Sequence, residues 1–158
     1  MRASAKVVCG VLICFLITNT LVWAGVGSHN TMYVGGTIES IKAGAEGTSS
    51  TQDEKVFTFE SKEGKIAIPY DKINDLEYGQ KAGRRLGLAL TISPWLLLSK
   101  KRKHFLTIGF TDANEKQQAG VFELGKDIVR VTLVSLEARS GKKVEYQDDE
   151  ARKSGLGG

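Results

Sequence analysis

RRLGLALTISPWLLLSKKRKHFLTIGF, running from Arg84 to Phe110, is the stretch whose reading decides the fold. It opens on two arginines and continues through an apolar run broken by Pro94. It then meets the basic run KKRKH and leaves as the alternating HFLTIGFT. That last part, His104 to Thr111, reads as a strand, with Leu106, Ile108 and Phe110 on one face and Phe105 and Thr107 on the other. The apolar part, Leu86 to Leu98, is shorter than the ~20 residues of a bilayer-spanning helix and carries Pro94 in its middle. Three arrangements are open to it. It can fold over at Ser93-Pro94 as core, burying Leu88, Leu90, Ile92 and Leu96 to Leu98. It can form a hairpin whose Trp95-to-Leu98 tip dips into a membrane surface, with Lys100, Lys101, Arg102 and Lys103 against anionic head groups. Or it can be an apolar patch for a partner protein. The basic run also has a plain role open to it, as solvated lysines that keep an apolar edge from aggregating.

Upstream, the chain reads as short strands. DKINDLEYGQK alternates at Leu76 and Tyr78. Before it, KVFTFE sets Phe57 and Phe59 against Val56, Thr58 and Glu60, the period-two pattern of a half-buried strand. SKEG is a tight-turn signal and KIAI its partner, so the two predict a hairpin ended by Pro69 and Tyr70. Met32 to Ile41 predicts a first strand, in which Gly35-Gly36 marks a bulge or a close backbone approach. Lys42 to Asp53, rich in Gly, Ser and Thr, reads as a loop.

Downstream, DANEK is a turn and Gln117 to Leu124 the returning strand of a hairpin. Asp127 to Ser140 is β-branched in composition. Its length, Asp127 at the start, Arg139 near the end and Gly141 as a stop nonetheless predict a buried helix. Val129, Leu133 and Leu136 share one face of it, and Val131, Val134 and Ala138 another. The tail from Glu145 to Gly158 is charged and then glycine-rich, which predicts disorder.

The N-terminus reads as a secretory signal over residues 1–24: Arg2 and Lys6, then the apolar Val7 to Ile17, then LVWA with Val22 and Ala24 before the cut. An uncleaved anchor is the alternative. Both cysteines, Cys9 and Cys14, lie inside it, so the mature chain holds none, which excludes disulfides, thiolate nucleophiles and cysteine–zinc sites. The chain of 158 residues carries 22 Lys+Arg and 18 Asp+Glu; without Arg2 and Lys6 the balance is 20 to 18, so net charge gives no argument for nucleic acid. The cations are uneven. Lys81, Arg84, Arg85, Lys100, Lys101, Arg102 and Lys103 crowd one segment with no acid between them.

Catalytic groups do not converge. The two histidines, His29 and His104, have no sequence neighbours that suggest a triad or a metal site, and Asp71, Asp75 and Glu77 have a spacing ordinary for a strand and its turn. The glycine patterns GGT, GAEGTSS and GRRLG lack the Lys-Ser/Thr ending of a phosphate loop. The sequence therefore predicts no catalytic, metal or cofactor site.

The order of these elements, with the stretches IPYDKINDLEYG, SKKRKHFLTIGF and VFELGKDIVRVTLVSLEARSGKKVEY, resembles a group of exported bacterial proteins with a pleckstrin-homology-like (PH/GRAM-like) domain. The resemblance covers about Met32 to Val144. It implies a mainly β fold, a curved antiparallel sheet or partly open barrel capped by one C-terminal α-helix. It does not carry over inositol-phosphate binding, because the loop after the first strand, KAGAEGTSSTQDEK, is poor in base, and fold alone does not carry function. The expectation is a non-catalytic binding or scaffold module of the cell envelope, periplasmic or extracellular. It would contact anionic lipid through Arg84, Arg85, Trp95, Lys100, Lys101, Arg102 and Lys103; alternatively, it would bind an envelope protein and no lipid.

Overall fold

A computed structural model describes residues 30–80, 91–92 (backbone only) and 103–157. Eight strands follow one another across an open mixed sheet in the order β4-β3-β2-β1-β8-β7-β5-β9, and the two-residue β6 pairs with β1. They are β1 (Thr31–Gly36), β2 (Ala45–Ser50), β3 (Val56–Ser61), β4 (Lys65–Pro69), β5 (Ile73–Gly79), β6 (Thr91–Ile92), β7 (His104–Thr111), β8 (Gln117–Leu124) and β9 (Val144–Tyr146). A 3-10 turn over Tyr70–Lys72 joins β4 to β5. Two helices, α1 (Val129–Ser140) and α2 (Asp149–Leu156), complete the fold.

The mainly β character and the helix ahead of Gly141 agree with the sequence reading. Gly141 ends α1 in the left-handed conformation, φ 68°, and its N–H bonds the Glu137 carbonyl. The β3–β4 hairpin also agrees: Phe57 and Phe59 point inward, and the Ser61 N–H closes the turn onto Gly64 O at 2.9 Å. β7 has the predicted bounds.

Four expectations are corrected. The first strand stops at Gly36 rather than Ile41. The segment read as the 42–53 loop contains β2, which pairs with both β1 and β3. Its small residues fit because the strands lie close: a Cβ on Gly47 would come 2.1 Å from the Glu60 carbonyl oxygen. The sheet is not purely antiparallel, since β9 runs parallel to β5 (Leu76↔Val144, Tyr78↔Tyr146). Finally, the tail beyond Glu145 is not disordered. It forms the end of β9 and all of α2, a second helix whose Ala151 is fully buried. Asp148 starts α2 as its N-cap, accepting the Ala151 N–H at 2.7 Å.

The core lies on one face of the sheet. Phe122 is its centre, with ring centroids of Phe57, Phe59 and Tyr33 at 5.4, 5.6 and 5.6 Å. Among the described residues every buried apolar side chain of the core lies between Tyr33 and Ala151, and residues 25–158 contain all of them. α1 packs Val129, Leu133 and Leu136 inward, and Arg139 near its C-terminus reaches the Asp53 carbonyl and lies over the Tyr70 ring at 5.6 Å. The second face of the sheet is also dry around β7: Phe105, Thr107, Val121 and Glu77 are all buried. β1 bulges between Tyr33 and Gly35, where the sequence placed a bulge.

Candidate functional site

Strand register brings several distant parts of the chain to one end of the sheet. Thr31 lies opposite Leu124 and Leu124 opposite His104; Phe105 pairs with Gly79, and Tyr78 with Tyr146. The start of β1, the end of β8, the start of β7 and the ends of β5 and β9 therefore meet. β5 and β7 are antiparallel neighbours, which a turn of two to five residues can join. Here 24 residues, 80 to 103, separate Gly79 from His104. This connection holds every one of the predicted contact residues. Arg84, Arg85, Trp95, Lys100, Lys101 and Arg102 lie outside the described residues, as do the signal segment and the apolar run apart from β6.

Lys103 stands at the foot of that connection. Its ammonium is 2.7 Å from the Glu123 carboxylate, with the two side chains 16% and 24% exposed, and it lies 6.0 Å from the Phe105 ring centroid. The apolar ring and the acid hold the lysine against the sheet.

Beside it, His104 forms a small polar cluster that its sequence neighbours do not betray. The Tyr78 hydroxyl is 2.5 Å from His104 Nδ1, the two rings are stacked at 6.1 Å, and Ser154 Oγ of α2 lies 3.4 Å from the same hydroxyl. Burial, aided by the Lys126 ammonium, holds the imidazole below its ordinary pKa, with Glu123 opposing. Burial pushes the Tyr78 phenol up. A neutral imidazole accepting from a protonated phenol fits both directions, and the contacts tie β7, β5 and α2 together. Ser154 directs its own hydroxyl to the Ala151 carbonyl at 2.9 Å. The Glu77 carboxylate accepts one bond from Gln147 Nε2 at 3.0 Å, while its other oxygen is buried with no hydrogen-bond partner among the described residues.

The opposite end of the sheet holds a groove of about 1130 Å³. Consecutive residues Lys65, Ile66 and Ala67 of β4 border one side, so the edge of the strand, rather than one face, lines it. Phe110 and the β7–β8 turn form the other side. Asp112 is committed to that turn: it accepts from Asn114 N, Lys116 N and Gln118 Nε2 at 2.8, 2.9 and 3.0 Å, which holds its carboxyl below the usual carboxylate range. Tyr33, at the floor, donates to the Ile38 carbonyl at 3.2 Å, and burial pushes its phenol up to about 12.

Among the described residues no cluster of three His, Cys, Asp or Glu side chains could hold a metal ion, and no helix is long and apolar enough to cross a membrane. No protein-family model matches the chain, and no curated protein matches it.

Proposed function

We propose that the chain is an exported, non-catalytic binding module of the cell envelope, with a PH-like domain that meets an anionic membrane surface through the connection between β5 and β7. One observation carries the reading. Two adjacent antiparallel strands are joined by 24 residues, the two-residue β6 among them, where a short turn suffices, and connections of that length are usually either functional or linkers. This one holds Arg84, Arg85, Lys100, Lys101, Arg102 and Lys103 with no acid among them, and Trp95 beside an apolar run. Each cation near an anionic surface contributes ~1 kcal/mol. Tryptophan at an apolar–polar boundary suits the depth of the head groups. The PH-like assignment is supported by the mainly β sheet and by α1, which packs beside the 3-10 turn. The commitment of Asp53, Asp112 and Asp148 to turns and caps supports a structural rather than catalytic use of these acids.

Co-sedimentation of residues 25–158 with vesicles tests the reading. Binding to phosphatidylglycerol-containing vesicles, weakened when Lys100 to Lys103 are changed to glutamine, is the expected result. Equal binding to neutral and anionic vesicles, or binding to neither, refutes it.

A second reading is favoured by the groove. Among the described residues β4 has one partner strand, and it borders that space with its edge, which suits strand addition by an extended peptide of an envelope protein. Peptide binding of that kind survives the glutamine changes in the basic run.

A further inference from the structure

We propose that the free edge of β4 grips a short, uncharged, extended segment of another protein through the main chain of Lys65 and Ala67, and that this segment carries an apolar residue between two non-proline residues. The inference rests on the strand-addition reading above and gives its occupant a sequence. The β3–β4 hairpin fixes which backbone groups are on offer. At one end of the hairpin the Ser61 N–H bonds the Gly64 carbonyl, and at the other the Tyr70 N–H bonds the Lys55 carbonyl, both at 2.9 Å. Hydrogen-bonded pairs alternate along an antiparallel ladder, so between these ends Phe59–Ile66 and Phe57–Ile68 are the bonded pairs. The N–H and C=O groups of Lys65 and Ala67 therefore point away from β3, where no further strand lies among the described residues. Pro69 has the same orientation. Its missing N–H costs the hairpin nothing there, and it ends the usable edge.

The surroundings of this edge suit a lone strand. Residues 37–43 and the β7–β8 turn wall the groove that the edge borders, which leaves room for one extended segment and obstructs the edge of a second folded sheet. Polar side chains of those walls are committed to each other. Thr37 Oγ1 donates to Gln118 Oε1 and accepts the Ala119 N–H at 2.9 Å. Gln118 Nε2 donates to Asp112 at 3.0 Å, and the Tyr33 hydroxyl donates to the Ile38 carbonyl at 3.2 Å. The edge, by contrast, offers donors and acceptors at β spacing, which match a peptide main chain.

Alternation on β4 supplies the side-chain preference. Lys65 and Ala67 are exposed, whereas Ile66 and Ile68 are buried. A segment running antiparallel to β4 places one residue opposite Ala67 and the residue two further on opposite Lys65, each exchanging two hydrogen bonds. Both must carry an N–H, which excludes proline at either place. The residue between them turns to the Ile66 side, where Ile41 and Phe110 border the same space, and burial there favours an apolar side chain. Charge is balanced around the groove, with Lys65 and Lys116 against Glu39 and Asp112, so it matches an uncharged segment. Recognition of this kind is insensitive to salt, unlike binding through the basic connection.

Fluorescence anisotropy of a labelled Ser-Thr-Val-Thr-Ser peptide, titrated with the full-length chain, tests this. The parent should bind equally at low and high salt. Ala67→Pro removes an edge donor and no bond to β3, so its thermal midpoint should match the parent while its affinity falls by about three- to tenfold. Ser-Pro-Val-Thr-Ser and Ser-Thr-Asp-Thr-Ser should each bind the parent more weakly by a similar factor. If Ala67→Pro does not fold, the proline peptide tests the same main-chain pairing from the other side. Loss with Ala67→Pro but equal binding of the proline and aspartate peptides keeps strand addition and overturns the sequence assigned here. Binding that a folded Ala67→Pro leaves unchanged, or no binding of any peptide, overturns both. A dimer of the free chain that Ala67→Pro dissociates would overturn the proposal in favour of a second copy at this edge.

Discussion

Replacing Gly36 by alanine tests the central joint of the sheet. Gly36 has φ +149° and lies in register with Gly120 of β8. A Cβ there would come 2.1 Å from the Ala119 carbonyl oxygen and 3.0 Å from its carbon. Both neighbours are backbone, so no side chain can swing aside. β1 must move away from β8, and the Thr37 N–H loses its 2.9 Å bond to the same carbonyl. Strain in a backbone region reserved for glycine costs ~1–3 kcal/mol. Forcing the two strands apart costs another ~1–3 kcal/mol. Gly141→Ala is the control. Its φ of +68° is also left-handed, yet nothing lies within 4 Å of the added Cβ, so only the ~1–2 kcal/mol of left-handed strain applies. Thermal unfolding followed by circular dichroism separates the two. At about 3–5 °C per kcal/mol for a domain of this size, Gly36→Ala should lower the midpoint by at least ~6 °C. Gly141→Ala should lower it by roughly half as much or less. Equal midpoints for the two variants would refute the close approach of β1 to β8.

The remaining predictions concern the other end of the sheet. His104 has a folded pKa below its ordinary 6.5, so the unfolded chain binds its proton first as pH falls. The stability it lends is complete above 6.5 and is lost on acidification from there through the depressed folded value. The midpoint of the parent should therefore drop between pH 7.5 and 5.5 more steeply than that of His104→Gln; parallel profiles would exclude the Tyr78–His104 pairing as the cause. Asp148→Ala removes the cap of α2 and should destabilise it by ~1 kcal/mol, read as faster hydrogen exchange at the Ala151 amide.

Where hydrophobic spacing sets an element, the sequence reveals it. Phe57 and Phe59 mark β3, Leu106, Ile108 and Phe110 mark β7, and Gly35-Gly36 marks the bulge. β2 escapes such reading because AEGTSS has almost nothing apolar to count. It is a strand because β1 and β3 flank it and leave room for little more than a hydrogen at Gly47. α2 escapes for a related reason. It packs through Ala151 and Gly155, small residues that hydrophobic patterning passes over. Its signals were polar instead: Asp148 as the cap, Asp149 and Glu150 in the first turn, Lys153 in the last, and Gly157 as the stop. The His104 cluster was illegible because its partners lie 26 residues before it and 50 after, and only the register of β5 with β7 and the docking of α2 assemble them.

The same register separates the two surfaces that could bind something. His104 and Lys103 stand at one end of β7, while Phe110 at the other end borders the groove. Strand rise places those ends on the order of 20 Å apart. Sites that far apart without common partners act additively. A bilayer met by the connection at Lys103 would lie at the end of β7 away from the groove. Lipid contact and strand addition at β4 are then compatible in one molecule, and their separation is itself open to measurement: Phe110→Ala should alter the groove without changing vesicle partitioning. A variant at Phe110 that abolished vesicle binding while keeping its fold would show that the two ends are coupled, contrary to what the register implies.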